Sequence, residues 1–373
     1  MIKPSLHVEE IVSDSEWKAI RHSWDGLLQS TEDNSPFLSH DWLSASFQNF
    51  HCGKRLHILA VREGSTFVGL APFWQFQETR YFIRVNKLGF IISPDAPFVD
   101  FLIHKDKRRE VLSVLLDYLM HHNQRSWDIL SLEQWPGNSP NYQIFRELLF
   151  ERRQRFCIGQ TSQTPYIQIA GEWEAFLQTR SVRFRKSHRN IVNKANRQYK
   201  VEPQCFVKDS EGTIYETVLD VTTRGWKHKE GLAISSRDDF RGFFKQITAI
   251  ASQKGWLMVW LLRLDGKAVA VEYDFVWDKK VYALRADFDN DYRSYSPGTY
   301  LEYHIIRYLF EKGYREYSTG PGLNEYKLSW TNQVHDNFTL QLFNSTVRGL
   351  ALWKLERFRS FLKQVRDRYK RVG

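Results

Sequence analysis

Arg293, Ser296 and Gly298 stand at Arg-x-x-Ser-x-Gly spacing, directly ahead of a stretch that reads as a helix from Pro297 to Lys312. A strand that enters a tight loop with glycine at a helix start leaves backbone N–H groups free. With the helix dipole behind them, they suit a phosphate. Arg293, just before the turn, is placed to add a charge-assisted bond to the same anion. The segment reads equally well as an ordinary capped helix, with Ser296 as N-cap and Pro297 at the first helical position. Thr299 and Glu302 have capping-box spacing but compete with that cap. Leu301, Ile305, Tyr308 and Leu309 make one buried face, and Gly313 ends the helix.

A second group with chemical potential precedes it. In Ala268–Val276, alternation puts Val269, Val271, Tyr273 and Phe275 on one face, and Ala268, Ala270, Glu272 and Asp274 on the other. In the next strand Arg285 and Asp287 share a face with Val281 and Ala283. A turn at Asp278-Lys279 sets Phe275 opposite Tyr282 and Glu272 opposite Arg285. Small residues beside paired charges leave room for a ligand next to a carboxylate that acts as a base; a plain cross-strand ion pair fits as well.

The elements that position these residues occur twice. Arg55–Val61 and Thr66–Gln75 read as a hairpin, followed by a strand at Val85–Phe90, a helix at Lys107–His122 and a strand at Trp127–Gln134 ending in Pro136-Gly137. Trp256–Leu264, Ala268–Val276, Val281–Phe288, the helix at Pro297 and Tyr314–Thr319, ending in Pro321-Gly322, repeat that order. The spacing predicts an α/β (α+β) chain of two tandem domains, 1–160 and 165–345, each a mixed sheet flanked by helices. Gly159–Pro165 reads as the linker between them, and 346–373 as a basic amphipathic C-terminal helix. The first repeat has Ala71 where the second has Glu272, and no Ser-Pro-Gly before its helix, so a single active site belongs to the second half.

The 373 residues carry a formal charge of +10. Eight basic and no acidic residues lie in 178–200, and nine basic against two acidic in 348–373, which leaves the rest of the chain at −5. The surplus belongs to two segments and argues for local contacts with an anionic acceptor, a tRNA backbone or a membrane, rather than for a protein whose task is reading DNA. In the tail, Phe358, Phe361, Leu362, Val365 and Tyr369 form a helical stripe opposite Arg359, Lys363, Arg366 and Lys370. That stripe suits docking on the second domain or resting on an anionic membrane. Three widely spaced cysteines, a polar start and no apolar run long enough to span a bilayer predict a cytoplasmic protein, at most peripheral at the inner membrane face. Asp287, Asp289 and Asp291 have the spacing of a calcium loop, but Tyr292 and Gly298 stand where that loop needs Gly and Glu, and no zinc spacing is present.

Arg293-x-x-Ser296-x-Gly298 resembles the Arg/Gln-x-x-Gly-x-Gly/Ala pyrophosphate loop of the GNAT acyltransferases, placed as theirs is between the fourth strand and the third helix. The longer string, Tyr292-Arg293, Ser296-Pro297-Gly298, Gly320, Tyr326-Lys327 and Trp330, with the tandem halves and the basic run, is similar to the CelD-like (BioF2-like) acetyltransferases. These belong with the Fem-type aminoacyl transferases of bacterial cell-wall synthesis. The likeness spans about Trp42 to Phe343 and departs from the general loop at Ser296, where glycine is usual. It implies tandem GNAT folds, acetyl-CoA or another acyl-CoA as donor, no metal, and direct transfer to an amine or hydroxyl of a cell-envelope or exopolysaccharide precursor.

On that resemblance Arg293, Ser296, Gly298 and Thr299 hold the donor. Glu272 or Asp287 is the base, Tyr326 the acid, and Lys327 stabilises charge. Arg185 and Arg189, on a basic amphipathic helix, and Trp226 and Lys229, in a loop, are candidates for the acceptor. Two other readings stand beside it: a Fem-type transferase with charged tRNA as donor, and a non-catalytic module of a polysaccharide machine.

Overall fold

The computed structural model describes residues 5–32, 34–122 and 126–372, with 360, 361 and 363–372 as backbone alone. In the first half β1 (Leu6–Ile11), β2 (Arg55–Glu63), β3 (Thr66–Arg80) and β4 (Ile83–Phe90) pair antiparallel in sequence. The short β5 (Leu102–Ile103) joins β3. The helix Arg108–Asp117 then crosses to β6 (Ile129–Pro136), which lies parallel to β4. The helix Pro140–Glu151 and β7 (Phe156–Gln168) follow.

The second half repeats this plan behind the helix Val182–Gln198. It holds β8 (Val201–Phe206), β9 (Leu257–Leu264), β10 (Lys267–Trp277) and β11 (Lys280–Phe288), all antiparallel neighbours. The helix Pro297–Glu311 then crosses to β12 (Glu316–Ser318), parallel to β11, and β13 (Val334–Phe343) closes the half. The helix predicted from Pro297 and all five repeated elements of each half are present. Both halves carry mixed strand directions flanked by helices.

The halves are not separate sheets. Among the described residues thirteen strands form one sheet, in the order β1-β2-β3-β4-β6-β13-β7-β12-β11-β10-β9-β8, with β5 beside β3. β13, the last strand, pairs with β6 of the first half, while β7, the last strand of the first half, pairs with β12 of the second. Gly159–Pro165, read from sequence as a linker, is therefore the middle of β7, bonded along β13 from Gly159↔Thr339 to Pro165↔Val334. Its polar run has no apolar alternation to betray a strand, because polar cross-strand contacts stabilise it. Gln160 and Gln163 both donate to Asp336 Oδ1, at 2.7 and 2.8 Å.

One aromatic core runs across both halves. Phe37, Trp42 and Phe98 meet Phe243, Phe275 and Tyr282 edge to face, with centroids 5.0–6.1 Å apart. Such pairs contribute about 0.5–1.5 kcal/mol each beyond area burial. The final helix, Val347–Val372, begins against strands of both halves. Leu352 packs with Val85, Ile129 and Phe343, on β4, β6 and β13. Gly349 permits the approach, since a Cβ there would lie 2.5 Å from the Asn344 carbonyl oxygen and 2.8 Å from that of Asp128. The stripe positions Phe361, Val365 and Tyr369, with Lys363, Arg366 and Lys370, lie outside the described side chains. Among the described residues no helix is long and apolar enough to cross a membrane.

Candidate active site

The hairpin of β10 and β11 turns at Asp278 and Lys279, both left-handed (φ 46° and 59°), and Phe275 faces Tyr282 as predicted. Beyond that the register slips. An irregularity at Tyr273/Asp274 makes Leu284 an extra residue, so Glu272 faces Ala286 and Arg285 faces Tyr273. Arg285 is thereby turned away from Glu272. Its Nε pairs with Asp95 of the first half at 2.6 Å, and its Nη1 donates to the Leu232 carbonyl at 2.6 Å. A second irregularity against β9, between Ala268 and Ala270, moves Val269 into the core opposite to that of Val271, Tyr273 and Phe275.

β11 and β12 pair only over Lys280–Tyr282 and Glu316–Ser318. Past that point they diverge, and Ala283–Phe288 and Thr319–Pro321 line a cavity of about 630 Å³. Gly320 (φ 77°) lets its loop pass close to β11; a Cβ there would lie 2.9 Å from the Ala283 carbonyl oxygen. Glu272, Glu302 and Tyr317 also line the cavity, together with Gly298 and Thr299, Tyr326 and Lys327, Trp226 and Lys227, and Pro94 and Asp95.

Three carboxyls gather beneath the cavity. Glu272 and Asp274, two apart on β10, are 4% and 0% exposed, and Glu302 is buried on the sheet side of the 297–311 helix. Burial, then the charge of Glu302, pushes Glu272 up to about 8, against an opposing hydrogen bond donated by the Tyr317 hydroxyl. Burial takes Glu302 to about 7, with Tyr326 and Lys327 opposing, and raises Asp274 well above the carboxylate range. Tyr326 keeps 39% of its surface exposed, while its hydroxyl end lies against Glu302; burial and that carboxylate raise it. Lys327 donates from Nζ to the carbonyls of Gly320 and Pro321 at 2.8 and 3.0 Å, and burial lowers it.

Asp287, one residue past the partner of Glu272, takes the opposite face. Burial raises it and the Lys227 ammonium opposes. Its Oδ2 is buried without a hydrogen-bond partner. Gly225 makes room for it, since a Cβ there would fall 2.3 Å from Asp287 Oδ1.

The helix start is built differently from the expected cap. Ser296 is left-handed (φ 50°, ψ 54°) and its side chain caps nothing, because a residue turned into that region cannot aim its hydroxyl at the first-turn amides. The site is one that glycine favours, the residue usual there in the resembled loop. Ser296→Gly is expected to raise stability by about 0.5–1 kcal/mol net of chain entropy, read as a higher denaturant midpoint. Arg293 is exposed on the preceding turn, Asn290–Tyr295, which Lys194 of the 182–198 helix steadies by donating to the Ser294 carbonyl at 2.8 Å.

Of the residues singled out in the sequence, the fold brings Glu272, Asp287, Tyr326, Lys327, Gly298, Thr299 and Trp226 to one cavity. Arg293 and Ser296 stand beside its helix start without lining it. Arg185, bonded to Gln178, and the exposed Arg189 and Lys229 lie off it. Glu302, Tyr317, Lys227 and Asp95 escaped the sequence reading. Glu302 had shown itself only as half of a capping box, and Lys227 as a neighbour of Trp226 and Lys229.

Residues 183–328 match the family model described as an acetyltransferase (GNAT) domain. No curated protein matches the chain. Among solved structures it is similar to FemX at 13% identity and a TM-score of 0.58, covering 93% of this chain and 99% of that one. It is also similar to the C-terminal domain of a proposed lysylphosphatidylglycerol synthetase from Agrobacterium fabrum (13% identity, TM-score 0.56, 90% and 95% covered). L-PGS from Bacillus licheniformis is a third neighbour, at 10%, 0.52, 84% and 95%. The shared fold, the splayed strands with a helix start at their opening, and the matched stretch agree: the chain has a GNAT-like fold, and the likeness of residues 183–328 to an acetyltransferase domain marks it as a transferase.

Proposed function

We propose that the protein transfers an acyl group directly from acyl-CoA, acetyl-CoA being the simplest, to an amine or hydroxyl of a cell-envelope or exopolysaccharide precursor, on the cytoplasmic side. The observation that carries this reading is the cavity where β11 and β12 part, with Glu272 beneath it and the start of the 297–311 helix at its edge. Gly298 and Thr299 present first-turn amides to the donor phosphates, and Arg293 reaches them from outside. The acceptor nitrogen or oxygen attacks the thioester carbonyl carbon and gives its proton to Glu272. The C–S bond breaks, and Tyr326, beside Glu302, returns a proton to the thiolate. Glu272 is a better base than Asp287 because the Lys227 ammonium is the smallest of the influences opposing its burial, whereas on Asp287 that ammonium is the largest. Lys327, anchored on two carbonyls, offsets charge that develops at the carbonyl oxygen. Trp226, exposed at the mouth, offers a stacking face to a sugar, with Lys227 and Arg285 for its polar groups.

The 182–198 helix favours a second reading, with charged tRNA as donor. Arg183, Lys186 and Arg189 are exposed, no acidic residue lies on the helix, and Lys194 ties it to the donor loop. Calorimetry with acetyl-CoA separates the two. Binding that weakens roughly ten- to a hundredfold in Arg293→Ala supports CoA, taking one charge-assisted bond at about 1.5–3 kcal/mol. Absence of CoA binding, with charged tRNA retained, assigns the donor to tRNA.

A further inference from the structure

The turn between β3 and β4 is filled against its own backbone. Tyr81 and Phe82 are both left-handed, φ 51° and 63°, in a two-residue hairpin turn of the kind that favours Asn and Gly. Phe82 gains no packing in return, for it is 102% exposed. The equivalent turn of the second half has nearly the same φ angles and is filled by Asp278 and Lys279. Two aromatic residues at such a tip cost stability that no contact of Phe82 within the fold offsets, so the reason for them lies outside the fold.

The final helix lies against this tip. Glu356 accepts from the Arg80 guanidinium and, at 2.8 Å, from the Tyr81 hydroxyl, which in turn accepts from Arg359 Nη1 at 3.1 Å. One face of the helix buries Leu352. On another, Leu355, Phe358 and Leu362, at i, i+3 and i+7, stay exposed, Phe358 at 60%. Lys354, Arg357 and Arg359 are exposed around them, in a segment with nine basic residues and two acidic.

We infer that the Phe82 tip and the Leu355–Phe358–Leu362 stripe form one docking surface for an anionic lipid bilayer. The apolar side chains enter the boundary between headgroups and acyl chains, and the cations meet lipid phosphates. Charge decides against a second copy of the chain, since two such surfaces face to face bring like charges together. The inference concerns where the enzyme sits and does not depend on which donor it uses.

The test is co-sedimentation of the full-length protein with phosphatidylcholine vesicles, with and without phosphatidylglycerol. The parent protein is expected to pellet with the phosphatidylglycerol vesicles and to be released by salt. Phe82→Asn removes the apolar wedge while placing at φ 63° a residue that tolerates it. It is expected to lower vesicle binding roughly tenfold and to leave the unfolding midpoint equal or higher. The inference is overturned if the parent ignores phosphatidylglycerol, or if Phe82→Asn binds as well as the parent. It is equally overturned if gel filtration shows a dimer that Phe82→Asn dissolves.

Discussion

Glu272→Gln is expected to lower kcat by about 10²- to 10⁴-fold, the usual contribution of a positioned base, with little change in donor affinity. The pH profile makes the result specific. A base whose carboxyl is pushed up to about 8 is mostly protonated at neutral pH. kcat/KM of the parent should therefore rise with pH and level off above about 8, and the residual rate of the glutamine variant should lack that limb. Stability moves the opposite way. Folding raises this carboxyl from its ordinary 4.5, so the native state holds the proton more tightly than the unfolded chain. Its stabilising contribution is complete below about 4.5 and is lost as pH rises through about 8. The glutamine variant, which has no charge to bury, should thus lose less stability than the parent between those values. Unchanged turnover in Glu272→Gln would sink the assignment, and Asp287→Asn is then the next base to test.

The second large effect lies far from the chemistry. Trp42→Ala is expected to cost about 3–5 kcal/mol, because Trp42 is fully buried at the seam, 5.1 Å from Phe243 and 5.5 Å from Phe275. The loss should appear as one transition shifted as a whole, with circular dichroism and tryptophan fluorescence coinciding. The halves exchange their last strands and share the main core, so the sheet has no edge between them to open along; its free edges, β1 and β8, lie at its far ends. Two separated transitions in the variant would show that the seam does not couple them.

What could be read from sequence follows from range. The hairpins, the crossover helices and the repeat were legible because period-2 and period-3.6 patterns and turn residues act over a few positions. The cap at Ser296 failed as a reading because Ser-Pro-Gly suits both a capped helix and a left-handed entry, and the choice rests on the loop that Lys194 steadies. The pairing of Glu272 with Arg285 failed through a single extra residue, Leu284, which no local pattern marks.

The sequence by itself determined the two-fold plan, the helix at Pro297, the acidic residue on β10 and the two basic segments. The tertiary structure decided the rest. It threads β13 between β6 and β7 and turns Gly159–Pro165 into sheet. It sends Arg285 to Asp95, leaving Glu272 in the company of Glu302 and Tyr317, and sets Phe82 beside the final helix. Each of these joins residues tens to hundreds of positions apart. The energy that selects among such contacts lies in burial and charge at the meeting place, and neither exists until the chain has folded.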